Sequence, residues 1–79
     1  MEGLKKEGRI VGLNQTLKAL EDGKAKEVFL ARDADHTLRT AVLKGCTNQG
    51  VPVKEIDSMK LLGRACGIDV KAAVACIVQ

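Results

Sequence analysis

The sequence predicts an α/β fold: a three-layer α/β/α sandwich in which helices cover both faces of a four-stranded sheet. Three observations point there. Short β-branched runs alternate with helical patterns in the order β-α-β-α-β-α-β. Each helical pattern is closed by a glycine, Gly23, Gly50 or Gly67. Two strand candidates, Glu27 to Ala31 and Ala72 to Val78, are nearly continuous apolar runs, as expected of strands covered on both sides. A chain of 79 residues has room for one domain, spanning 1–79, with short loops.

Taken in order, a charged stub at 2–7, read as a short frayed helix, precedes the brief strand Arg9-Ile10-Val11, closed by Gly12. From Asn14 to Asp22 the pattern is helical, because Leu13, Leu17 and Leu20 recur at i, i+4 and i+7 and share one face. Asn14 suits the N-cap, where a side-chain oxygen accepts an unpaired backbone N–H. Glu27-Val28-Phe29-Leu30-Ala31 follows as a central strand. Asp33-Ala34-Asp35 offers two caps for a second helix, 36–49, with a core stripe of Leu38, Ala41, Val42 and Cys46. Val53 to Ile56 is a short strand, and its charged Lys54 and Glu55 suggest an edge. Asp57-Ser58 caps a third helix, Met59 to Cys66. After the loop Ile68-Asp69-Val70-Lys71, the run from Ala72 to Val78 is expected to be the most buried strand.

Composition narrows the function. Hydrophobic residues make up 46% and charged residues 29%, a globular balance that argues against disorder. One Phe and no Trp or Tyr exclude the RNA-binding modules that stack bases on an aromatic platform. Lys and Arg number 13 against 10 Asp and Glu, and the net charge of +3 is compatible with a polyanionic partner without requiring one. Cys46, Cys66 and Cys76 form no Cys-x-x-Cys pair, and with the single His36 they are too few for a zinc site. They read as small buried hydrophobes in a reducing compartment, with no metal and no cofactor. No apolar run approaches the roughly 20 residues of a membrane helix, and Met1 to Glu7 lacks the apolar core of a signal peptide. The expectation is a complete cytoplasmic protein with no membrane contact.

Signatures of catalysis do not emerge. No Gly-x-Gly-x-x-Gly follows a strand, and Val51 and Pro52 stand where a Walker-like spacing from Gly45 to Gly50 would need Lys and Ser/Thr. His36 has no Ser or Cys near it in sequence, and helix capping accounts for Asp33 and Asp35 more simply than a carboxylate pair does. The chain is expected not to be an enzyme and to take no small-molecule substrate.

The start of the first full helix is more informative. With Asn14 at 0°, Lys18 falls at about 40° and Gln15 at about 100°, opposite the leucines. Asn and Gln can make paired contacts to base edges. A helix N-terminus and a lysine favour phosphate and electronegative guanine atoms, and Gly12 lets a backbone approach closely. From spacing alone, a plain solvated helix face with a capping Asn is the stronger reading. A second feature is the loop after Gly67: Ile68 and Val70 either form a contact surface or tuck under the sheet, and the pattern does not decide which.

Three segments resemble one known family. Gly12-Leu13-Asn14-Gln15-Thr16-Leu17-Lys18-Ala19 is similar to the Gly-x-Asn-Glu-x-x-Lys-Ala signature of the kink-turn RNA-binding proteins, the ribosomal protein L-seven-Ae and L-thirty-e group. Asp33-Ala34-Asp35 resembles its Asp-Ala-Asp/Glu turn, and Leu62-Gly63-Arg64-Ala65-Cys66-Gly67-Ile68 its Leu-Gly-x-Ala-x-Gly-Ile/Val segment. The match runs from about residue 9 onward, and the short length most resembles the small bacterial YbxF-like members.

The resemblance implies a mixed four-stranded sheet and binding of structured RNA: a kink-turn built on tandem sheared G·A pairs with a flipped-out nucleotide, in ribosomal RNA or another RNA. By position, Asn14, Gln15 and Lys18 would meet the G·A pairs, and Gly12 would admit the helix start. Asp35 would lie near the flipped nucleotide, and Ile68, Asp69 and Val70 would form the loop packed against it. The protein would be a monomer, ribosomal or ribosome-associated. Three departures bear on strength. Gln15 replaces the family's Glu and pulls less on guanine N–H donors. Val11 stands where Lys is frequent, and Asp22 where Arg is frequent. Glu21 and Asp22, at about −20° and 80°, put negative charge one turn below the reader. Binding is therefore expected to be weaker than in members with the full basic set. The alternative is a protein-interaction module of the same fold with weak or lost RNA binding.

Overall fold

The computed structural model describes residues 8–78. The stub read at 2–7 lies outside the described residues. The elements are β1 (Arg9–Val11), α1 (Leu13–Glu21), β2 (Ala25–Ala31), α2 (His36–Gln49), β3 (Val53–Ile56), α3 (Met59–Ala65) and β4 (Val74–Val78). The sheet order is β1-β4-β2-β3. β4 pairs antiparallel with β1 and β2, while β3 runs parallel to β2, so the sheet is mixed.

Side chains alternate across the sheet as the pleat requires. Val28, Leu30, Val74 and Cys76 face one way and join Ala19, Leu20, Val42 and Cys46 of α1 and α2 in the larger core. Ala31 and Ala75 face the other way and meet Ala34, Leu62 and Ala72, with Phe29, Ile56 and Met59 packed around them. Thus α1 and α2 cover one face and α3 the other, the three layers expected. Each fully buried Val or Leu contributes about 1.5–3 kcal/mol.

Helix boundaries differ from the sequence pattern at informative places. α1 starts at Leu13 with Gly12 as its cap residue and no side-chain cap, so Asn14 is the second helical residue and not the N-cap. Gly12 N–H is already held by Val74 C=O at 3.0 Å, and Gly12 C=O accepts Thr16 N–H at 3.1 Å. β4 therefore pins the chain at Gly12, and the helix begins at once. Asp33 and Asp35 do not compete for α2. Asp35 accepts from Thr37 N–H at 3.0 Å and caps α2, whereas Asp33 accepts from Met59 N–H at 2.8 Å and caps α3 alongside Ser58. β2 begins at Ala25, two residues before the apolar run, because Ala25 pairs with Val78. β4 begins at Val74, because Ala72 N–H goes to Met59 C=O and Ala73 C=O to Ala31 N–H.

The inward face of α1 also differs. Thr16, Ala19 and Leu20 are buried, while Leu13 and Leu17 are half-buried flankers of the same core. Thr16 is 0% exposed, and its Oγ1 has no hydrogen-bond partner among the described residues. An unmet buried hydroxyl costs about 1–3 kcal/mol. Thr16→Val, which replaces that hydroxyl with a methyl, is expected to stabilise the fold by about 1 kcal/mol, raising Tm by roughly 4–8 °C in thermal melts.

Arg39 ties three elements together. From α2 it donates to Ala31 C=O at the end of β2 (2.9 Å) and, through both terminal nitrogens, to the Glu55 carboxylate on β3 (3.0 Å each). The Arg39 hydrogen bonds hold the Glu55 carboxyl below its ordinary value. A depressed carboxyl stabilises the fold above its unfolded pKa, about 4.3 for glutamate, and that stability is lost as pH falls through the folded value. Urea melts are expected to show a gap between the wild type and Glu55→Gln that is constant above about pH 5 and shrinks on further acidification.

Cys46 and Cys76 are buried and Cys66 is half-buried, and all three are free thiols. Burial pushes the Cys76 thiol up, with a contribution from Cys46, to about 11. Burial raises Cys46 and Cys66 as well. All three therefore favour the unreactive thiol near neutral pH.

Candidate nucleic-acid interface

Strand direction brings the start of α1, residues 32–35 and the residues just before β4 to one end of the sheet. β1 ends at Val11, opposite Ala75 near the start of β4, and β2 ends beside the same place, with Leu30 opposite Val74. The chain after β1 (Gly12 and the start of α1), the chain after β2 (residues 32–35) and the loop before β4 therefore emerge together. Two backbone bonds fasten them: Gly12 N–H to Val74 C=O, and Ala31 N–H to Ala73 C=O, each at 3.0 Å.

On α1, Asn14, Gln15 and Lys18 are exposed. Their side chains make no hydrogen bond or ion pair among the described residues, so the amide donors and acceptors and the ammonium are uncommitted. Gly12 adopts φ +117°, a conformation that L side chains rarely reach, and a Cβ there would meet only Gln15 Cγ, at 3.9 Å. The glycine is thus required by the backbone, and the space in front of it is open. Glu21 and Asp22 are exposed on the same helix face, the acidic neighbours expected. Asp35 is exposed but spends one carboxylate oxygen on the α2 cap.

The second region is the segment after α3. The chain turns at Gly67, with Gly67 N–H bonded to Arg64 C=O and Ile68 N–H to Gly63 C=O, then runs back along α3 until Ala72 N–H meets Met59 C=O. Ile68 is half-buried against the smaller core, whereas Val70 is 67% exposed and Asp69 is exposed. Of the two β-branched residues, one tucks in and one faces solvent. The close packing of this segment depends on Gly63, which is buried on α3. A Cβ there would run into the Val70 carbonyl oxygen and come within 3.1 Å of its carbon and 3.3 Å of Lys71 Cα.

Sequence pattern alone passed over the cations beside this loop. Lys60 and Arg64 of α3 and Lys71 of the loop line a cleft of about 500 Å³ with Ile68, Asp69 and Val70. Their i, i+4 spacing on α3 was the available signal. Phe29, the one aromatic residue, packs against the smaller core. Together the two regions offer amide and ammonium donors, exposed aliphatic surface and positive charge. That chemistry reads polar edges and phosphates and needs no stacking platform.

The family described as the ribosomal protein L7Ae/L30e/S12e/Gadd45 family matches residues 2–79. An RNA-binding protein of Geobacillus sp. (strain WCH70) is 46% identical over 70 residues, covering 89% of this chain and 85% of that protein. The RNA-binding protein YbxF of Geobacillus stearothermophilus is 43% identical over 70 residues, with the same coverage of both chains. Among solved structures, the Giardia lamblia 15.5kD RNA binding protein superposes with a TM-score of 0.81 at 35% identity, covering 95% of this chain and 63% of that one.

Proposed function

The chain belongs to the ribosomal protein L7Ae/L30e/S12e/Gadd45 family, and on that premise we propose that it is a non-catalytic RNA-binding protein that recognises a kink-turn. Tandem sheared G·A pairs meet Asn14, Gln15 and Lys18, and the flipped-out nucleotide lies against Ile68, Asp69 and Val70, with Asp35 nearby. The protein acts in the cytoplasm as a monomer, ribosomal or ribosome-associated. The observation that carries this reading is the uncommitted amide-and-ammonium face of Asn14, Gln15 and Lys18 at the start of α1, which follows directly on the Gly12-to-Val74 bond. Relatives named as RNA-binding proteins at 43–47% identity support it. Its test is a gel shift with a kink-turn RNA beside a straight duplex of the same length. Tighter binding of the kinked RNA is expected, and equal binding of both would sink the reading.

One observation favours a second reading, a protein-interaction module with weak or lost RNA binding. Glu21 and Asp22 are exposed beside the reader face. Their charge repels phosphate, so its removal separates the two readings. Asp22→Arg is expected to tighten kinked-RNA binding and to steepen the slope of log K against log salt by roughly one unit. A salt titration in which the variant and wild type coincide would favour the protein-interaction module.

A further inference from the structure

The proposed base-reading face and a cluster of three cations lie on different elements of this protein. α1 carries one cation, Lys18, with Glu21 and Asp22 at its far end. The cleft between α3 and the loop collects Lys60, Arg64 and Lys71 against a single carboxylate, Asp69. Lys60 and Arg64 stand one turn apart, so they project on the same side of α3. Lys71 comes from the loop that runs back beside them, one residue before the Ala72-to-Met59 bond. All three cations are exposed, and among the described residues none forms an ion pair or side-chain hydrogen bond. Ile68 and the exposed Val70 give the cleft an aliphatic floor.

We propose that this cleft is a second RNA contact, a track for consecutive backbone phosphates leading away from the base-reading end. Lys60, Arg64 and Lys71 supply the electrostatic part of binding, and α1 supplies the discrimination. The inference rests on the RNA-binding reading above and adds residues to it. Continuity favours RNA over an acidic protein as the occupant. The loop that carries Lys71 leads through Ala72 and Ala73 to Val74, whose carbonyl holds Gly12 at the start of α1. One nucleic-acid strand can therefore leave the reader and enter the cleft without crossing the acidic end of α1.

The test compares three folded proteins: wild type, the triple variant Lys60→Gln/Arg64→Gln/Lys71→Gln, and a control of equal net charge, Lys26→Gln/Lys44→Gln/Lys54→Gln. The control residues are exposed and lie outside the cleft. Affinity for a kink-turn RNA and for a straight duplex is measured from about 50 to 300 mM KCl, a range in which counterion release dominates. The cleft variant is expected to lower the log–log slope by about two units and to weaken binding roughly tenfold or more near 0.1 M salt, while keeping its preference for the kinked RNA. The control is expected to change the slope by less than about half a unit. Equal slope loss in both variants overturns the proposal, because net charge alone would then explain it. An unchanged slope in the cleft variant, with kink preference intact, also overturns it and reassigns the cleft to an acidic protein surface. Absence of kink preference in the wild type overturns the functional reading itself and is read from a separate arm.

Discussion

Gly63→Ala is expected to lower the melting temperature by roughly 10 °C, the effect of about 2 kcal/mol in a domain this small. The sign is the informative part. Alanine in a helix interior ordinarily stabilises by about 0.5–1 kcal/mol relative to glycine. At Gly63 the new methyl would meet the backbone of Val70 and Lys71, not the end of a movable side chain. Neither partner can yield cheaply. α3 is held at its start by the caps from Ser58 and Asp33, and the loop is held by Ile68 N–H to Gly63 C=O and Ala72 N–H to Met59 C=O. Gly45→Ala is the internal comparison: its Cβ would lie 3.1 Å from Leu20 Cδ1, the tip of a flexible side chain. A thermal melt in which Gly63→Ala matches or exceeds wild type would mean that the loop does not rest on α3 as described. Because Ile68 to Val70 ride on the same contact, the variant is also expected to bind kinked RNA less well.

The second large effect falls on binding alone. Asn14→Ala is expected to cost about 1–3 kcal/mol of affinity for a kink-turn RNA, as the loss of a base-edge contact does, and Lys18→Ala a similar amount. Stability separates this from a structural effect. Had Asn14 capped α1, its removal would also cost about 1 kcal/mol of folding. Gly12 occupies that position, and the Asn14 side chain makes no hydrogen bond among the described residues. Melts of Asn14→Ala should therefore overlay the wild type while isothermal titration with RNA shows the loss. Unchanged affinity in both variants would remove α1 from the interface.

Much of the fold was legible because local chemistry and tertiary structure agree. Glu27 to Ala31 reads as a central strand because the run is nearly all apolar, and both of its faces are covered. Gly23, Gly50 and Gly67 each end a helix with the same pair of backbone bonds, for instance Gly67 N–H to Arg64 C=O and Ile68 N–H to Gly63 C=O. What escaped depended on partners distant in the chain. Thr16 is polar, so no hydrophobic pattern could turn it inward, yet it lies at the centre of the buried face of α1. Asp33 reads as a cap for the helix next to it, while its carboxylate serves α3, 26 residues away. Gly63 carries no local packing signal, because the returning loop that it admits comes from Val70 and Lys71.

The candidate site divides in the same way. Asn14, Gln15 and Lys18 were legible as a face because helical spacing alone sets their angles. The junction of Gly12 with Val74 was not, since it follows from the pairing of β4 beside β1, which no local pattern encodes. Lys60 and Arg64 carry no sequence signal beyond their one-turn spacing. Only the cleft that they share with Lys71 distinguishes them.

The position of β4 also bears on how the molecule comes into being. β4 lies between β1 and β2, so among the described residues Arg9, Ile10 and Val11 find their sheet partners in Ile77, Cys76 and Ala75. A nascent chain can assemble β2, α2 and β3 as it emerges, but β1 has nothing to zip against until synthesis has nearly reached the end of this sequence. Closing so long a loop makes the final step slow and cooperative. The same step makes the Gly12-to-Val74 bond that seats the start of α1, so a half-made copy lacks the junction on which that helix is hung.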